Sequence, residues 1–95
     1  MRELMEIRLE LDEIDREMVA LFERRMALAR EVAQVKMMKG MDVLDATRER
    51  QVLDSRAAML RDEHWAGDVR TLYETIMAMS RAEQHRMLEE ASDHA

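Results

Sequence analysis

The sequence contains no cysteine and no proline, only two glycines, and one each of Trp, Tyr and Phe. Without cysteine there are neither disulfides nor thiolate metal sites. With so few turn formers and aromatic residues, a β-sandwich or barrel has little to build on. No apolar run approaches the ~18 residues of a membrane span. The N-terminal MRELMEIRLELDEID has no apolar core of a secretory signal. The expectation is a soluble, cytoplasmic protein with no membrane partner.

Other chemistries are equally poorly provided for. The formal net charge is −6, whereas non-specific nucleic-acid binding depends on a basic surface. A single Trp and a single Tyr make no stacking platform for bases. His64, His85 and His94 are scattered, with no partners at ligand spacing, so no metal is expected. No serine has a credible base beside it, and no glycine-rich loop cradles a phosphate. No cofactor is expected.

What is present reads as helix. The chain has 95 residues, of which 47% are apolar and 38% charged. That length suits a single domain, residues 1–95. Leu4, Ile7, Leu11, Ile14, Met18, Leu21, Arg25, Leu28, Val32 and Val35 recur at alternating spacings of three and four. This is a helix with a coiled-coil-like seam, and nothing breaks it before Gly40. The pattern predicts a first helix over about 3–38. Asp45 suits the N-cap of a second helix over about 46–64, with an apolar line through Leu53, Ala57 and Leu60 and with Val52 and Met59 beside it. HWAGD, residues 64–68, reads as the next turn, with Asp68 as the next N-cap. The third helix, over about 68–90, carries Val69, Leu72, Tyr73, Ile76, Met79, Met87 and Leu88, and the terminal EEASDHA is expected to fray. The eleven methionines read as flexible core filler, a promiscuous binding surface being the alternative.

The fold class is therefore all-α, three helices per chain with one very long. A first helix of that length spans roughly 50 Å, whereas a compact domain of this size has a radius of gyration of only about 12–13 Å. Two shorter helices cannot cover such a seam. A second copy can, so a two-fold homodimer of paired long helices is expected.

Polar residues interrupt the apolar lines. Arg25 stands on the seam, and a buried charge without a partner is costly. Eleven positions separate it from Lys36, about 1100° of helical rotation and so ~20° net; the two cations share a face. Arg8 lies 17 positions before Arg25, about 26 Å along the axis and ~100° around it. An antiparallel partner helix would carry Arg8 to the other subunit's site. Arg48 and Glu49 open the second helix, with Glu49 four residues before Leu53. Ser80 follows Ile76 by four and Gln84 follows Ser80 by four, so both continue an apolar stripe with hydrogen-bonding groups. One reading is a set of buried salt bridges, Arg25 with Glu49 for example, that fixes dimer register. The other is a pocket for a small dianion, because the cations outnumber the one inward acid and Arg grips carboxylates with a bidentate fork.

IRLELDEID at 7–15, ERRMALAREVAQVK at 23–36, DATRER at 45–50 and MSRAEQ at 79–84 resemble the all-helical (AroQ-class) chorismate mutases over nearly the whole chain. The resemblance implies an intertwined helical homodimer with two equivalent sites and conversion of chorismate to prephenate. By position, it implies that Arg25 holds one substrate carboxylate and the partner chain's Arg8 the other. Lys36 and Gln84 donate to the ether oxygen. Glu49, with the backbone near Asp45, binds the ring hydroxyl; Ser80 supports the ring carboxylate, and Arg48 lines the site. Two rivals stand beside this reading. One is isochorismate pyruvate lyase, which shares the fold. The other is a non-catalytic helical module for dimerisation or regulation.

Overall fold

The computed structural model describes residues 1–93. Three helices follow in order, α1 over Leu4–Lys39, α2 over Ala46–Ala58 and α3 over Ala66–Asp93, with a 3₁₀ turn at Glu63–Trp65 leading into α3. No strand occurs among the described residues, and no helix is long and apolar enough to cross a membrane.

α1 runs its 36 residues without a break, as an uninterrupted period with no proline or internal glycine allows. Gly40 ends it with a φ of +66°, a left-handed conformation that glycine adopts without a Cβ penalty. There the Gly40 N–H donates to the Met37 carbonyl and the Met41 N–H to the Lys36 carbonyl, at 3.3 and 2.8 Å. Two orphan carbonyls are thereby satisfied, and the chain reverses toward α2. Asp45 caps α2, its carboxylate accepting from the Arg48 N–H at 3.0 Å.

The second boundary departs from the sequence pattern. α2 ends at Ala58 rather than near 64, and α3 begins at Ala66 rather than 68. Asp62, not Asp68, is the capping aspartate: its side chain accepts from the His64 N–H at 2.9 Å. The 3₁₀ turn started there winds directly into α3, so Asp68 falls in the first helical turn, where its charge still suits the helix dipole. At the other end α3 continues to Asp93, into the segment expected to fray. His94 lies outside the described residues.

α3 is the common neighbour, with both α1 and α2 packed against it. The face of α1 under α3 is not the apolar seam. Ala29 and Ala33 are 6% and 1% exposed, while Leu28, Val32 and Val35 are 56%, 44% and 49% exposed. Small alanines let α3 approach closely, while Leu28 and Val32 border the open cleft beside that contact. Likewise Val52 and Met77 are buried while Leu72, Met59 and Met79 are exposed. The period predicts a stripe for each helix; the residues buried lie beside it, because close approach at a small contact sets the crossing. Every residue before Arg25 is exposed. The radius of gyration is 17.1 Å and the extents are 60 × 27 × 14 Å, well beyond the about 12–13 Å radius of a compact chain of this length.

Candidate active site

A cleft of about 350 Å³ opens where the C-terminal half of α1, the start of α2 and the middle of α3 meet. Seven of the eight residues singled out from the sequence line it: Arg25, Lys36, Asp45, Arg48, Glu49, Ser80 and Gln84. They converge for local reasons. Arg25, Ala29, Ala33 and Lys36 succeed one another on one face of α1, and Leu28, Ala29 and Val32 line the cleft between the two cations. The glycine-terminated turn after α1 brings the first turn of α2 back over Lys36. Val43, buried in that turn, accepts a hydrogen bond from Lys36 Nζ at 2.5 Å, which ties the ammonium to the cleft.

Arg25 is held by α3. Its Nη1 donates to Ser80 Oγ at 3.1 Å, and Ser80 donates in turn to the Ile76 carbonyl at 3.0 Å. The guanidinium of Arg25 also lies 5.9 Å from the centre of the Tyr73 ring, which Arg56 of α2 approaches at the same distance. Such contacts add of order 0.5–1 kcal/mol at partly exposed sites. Tyr73 and Ser80, two turns apart on α3, thus grip Arg25 together.

The salt bridge of Arg25 with Glu49 is not formed. Glu49 accepts instead from Arg81 Nη1, a cleft residue missed in the sequence. Arg81 sits in the charged run SRAE, which reads as solvated surface. The missed signal was its place four residues after Met77 and three before Gln84, both buried. Among the described residues, no carboxylate lies within salt-bridge reach of Arg25, Lys36 or Arg48. The cleft therefore carries positive charge that its own acids do not cancel, with Glu49 engaged by Arg81 and Asp45 by a backbone N–H.

Gln84 is 6% exposed, and its Oε1 is buried without a hydrogen-bond partner. A buried acceptor left unpaired is costly, and the side chain that carries it lines the cleft. Ser80 is 8% exposed. Arg8 is the exception: it is exposed on the N-terminal half of α1 and does not line the cleft.

Behind the cleft, α1 and α3 are pinned by charge. Arg30 of α1 donates to Glu83 at 2.7 Å and to Glu90 at 2.9 Å, and Arg86 also donates to Glu83. Hydrogen bonds from Arg30 and then Arg86 hold the Glu83 carboxyl below the usual range, and Glu90 with Glu83 pushes Arg30 upward. No three His, Cys, Asp or Glu side chains gather as metal ligands among the described residues.

The family described as chorismate mutase type II matches residues 7–85. A chorismate mutase of Methanocaldococcus jannaschii is 28% identical over 91 residues, which cover 95% of this chain and 92% of that protein.

Proposed function

The chain belongs to the chorismate mutase type II family, and on that premise we propose that it converts chorismate to prephenate within a homodimer. We take residues 1–95 as one domain of that enzyme, working without cofactor in the cytoplasm. One observation carries the proposal: three cations, Arg25, Lys36 and Arg48, line one cleft with no acid paired to them among the described residues. Such a surplus suits a dianion bearing two carboxylates.

The reaction asks little else of a protein. It is a unimolecular Claisen rearrangement, in which an ether C–O bond breaks as a C–C bond forms. No nucleophile attacks and no proton moves. The protein lowers the barrier by holding the flexible dianion in a compact, chair-like conformation. It also sets fixed positive charge where negative charge develops on the ether oxygen.

Arg25, oriented by Ser80 and Tyr73, binds one carboxylate. Lys36 leaves the Val43 carbonyl, or shares its protons with it, to donate to the ether oxygen. The Gln84 NH₂ donates to the same oxygen from α3. Glu49, with the backbone near Asp45, accepts the ring hydroxyl. Arg48 lines the mouth. Ser80 serves the ring carboxylate through Arg25, because its own proton is directed to the Ile76 carbonyl.

Arg8 enters from a second chain. Two features support the homodimer: the exposed seam Leu4, Ile7, Leu11, Ile14, Met18 and Leu21, and a cleft that lacks Arg8 of its own chain. An antiparallel partner helix covers that seam and delivers its Arg8 to the cleft, so that each of two sites draws on both chains.

The test is to follow loss of chorismate by ultraviolet absorbance, alongside isochorismate, and to identify the products. Prephenate from chorismate, inhibited by a transition-state analogue, is the expected result. Salicylate and pyruvate from isochorismate would instead make the protein a lyase. A folded dimer with no turnover of either would make it a non-catalytic module.

A further inference from the structure

Arg81 has no role in the rearrangement as described, yet it lines the cleft between Ser80 and Gln84. Among the described residues its carboxylate partner is Glu49, across the α2–α3 contact. Both side chains are half-buried, at 32% and 24% of their exposed area, so solvent screens the pair less than a surface one. The contact is specific in its atoms: Arg81 Nη1 donates to Oε1 of Glu49. Oε2 of Glu49 takes no hydrogen bond from any described residue.

Two consequences follow. The carboxylate is tethered through one oxygen, which leaves the other without a protein donor among the described residues. Its charge is also matched by Arg81, so it does not draw Arg25 or Lys36 away from a dianionic substrate. We infer, resting on the reading above, that Arg81 is a positioning residue: it acts through Glu49, holding Oε1 so that Oε2 receives the ring hydroxyl, and the Arg81–Glu49 pair sets the preference for a ring that carries that hydroxyl. A guanidinium suits this task better than an ammonium, since its N–H donors lie in one plane at fixed directions and Nη1 alone meets Oε1.

The experiment compares kcat/KM for chorismate and for 4-deoxychorismate, which has hydrogen in place of the hydroxyl. The proteins are wild type, Arg81→Met, Arg81→Lys, Glu49→Gln and the double variant Arg81→Met with Glu49→Gln. Arg81→Met lowers kcat/KM for chorismate about tenfold, the scale of one charged hydrogen bond, and leaves the deoxy substrate nearly unchanged. Arg81→Lys recovers part of the preference. In the Glu49→Gln background, removing Arg81 changes the chorismate value by less than about twofold, as expected for residues acting as one unit. The ratio of the two substrates within each variant does not depend on how much of it folds, so a destabilised variant still reports.

An equal loss on both substrates, or an undiminished loss in the Glu49→Gln background, overturns the inference and leaves the proposed function standing. Wild-type protein that converts no chorismate overturns the proposed function, and this inference with it.

Discussion

The two halves of α1 carry the same seam at the same period, yet only the second half has a neighbour in its own chain. From Arg25 onward, Ala29 and Ala33 are buried under α3 and two cations face a cleft. Before Arg25, every residue is exposed. Helical period states which residues share a face. It does not state what covers that face, which depends on side-chain size at the closest approach and on the length of the other helices. The covered half uses small residues to bring α3 close enough for Arg25 to reach Ser80. The bare half keeps large apolar residues, the type that a second helix would bury in a coiled-coil-like seam.

This contrast is broken most severely in the bare half. Ile14→Asp places a charge on the proposed interface twice per dimer, at a cost of several kcal/mol for each unpaired buried ion. The expected outcome is loss of the dimer and of all measurable activity, read by sedimentation and by chorismate turnover. An unaltered dimer would show that the bare half is not the interface.

In the covered half the largest effect belongs to Lys36. Lys36→Ala is expected to lower kcat roughly 10²-fold or more, the scale of a lost oxyanion donor, while the dimer persists. A near-wild-type kcat would remove Lys36 from the ether oxygen. Gln84→Glu follows. An amide donates at any pH, whereas a carboxyl donates only when protonated, so the variant's kcat should rise toward acid relative to wild type. A pH–rate profile superimposable on wild type would contradict that placement.

The smallest effect concerns the pins behind the cleft. Glu83 has a folded pKa below its ordinary value of 4.5. Its pairing therefore adds stability above that pH, lost as pH falls through the lower folded value. The expected difference in Tm between wild type and Glu83→Gln is small at neutral pH, begins to shrink near pH 4.5 and vanishes only once pH has fallen through the lower folded value. A difference constant from pH 7 to pH 3 would show that Glu83 acts by packing and not by charge.

Much of this was legible before any coordinates. Arg25 stood out because a cation on a seam violates its pattern, and helical rotation placed Lys36 on the same face. Asp45 was legible because a capping aspartate before a helical run has a local cause. The second boundary was not, since Asp62 and Asp68 are both acceptable caps and only the packing of α3 chooses between them. Arg81 was hidden because a charged residue among charged residues breaks no pattern. Its significance lies in Glu49, 32 residues away in sequence, and no local spacing encodes that contact. The seam was legible as a stripe, but not that the adjacent alanines would be buried under α3 in place of its larger residues, because that burial is a property of the packed pair.

The central claim is a cation cleft completed by Arg8 of a second chain, and subunit complementation tests it most directly. Arg8→Ala and Arg25→Ala proteins, each inactive alone, are unfolded and refolded together, and prephenate formation is measured. Random pairing puts both variants in half of the dimers, and each such dimer has one site with both arginines intact. The account predicts recovery of about a quarter of wild-type activity from two inactive proteins. A mixture that forms mixed dimers and stays inactive would contradict it.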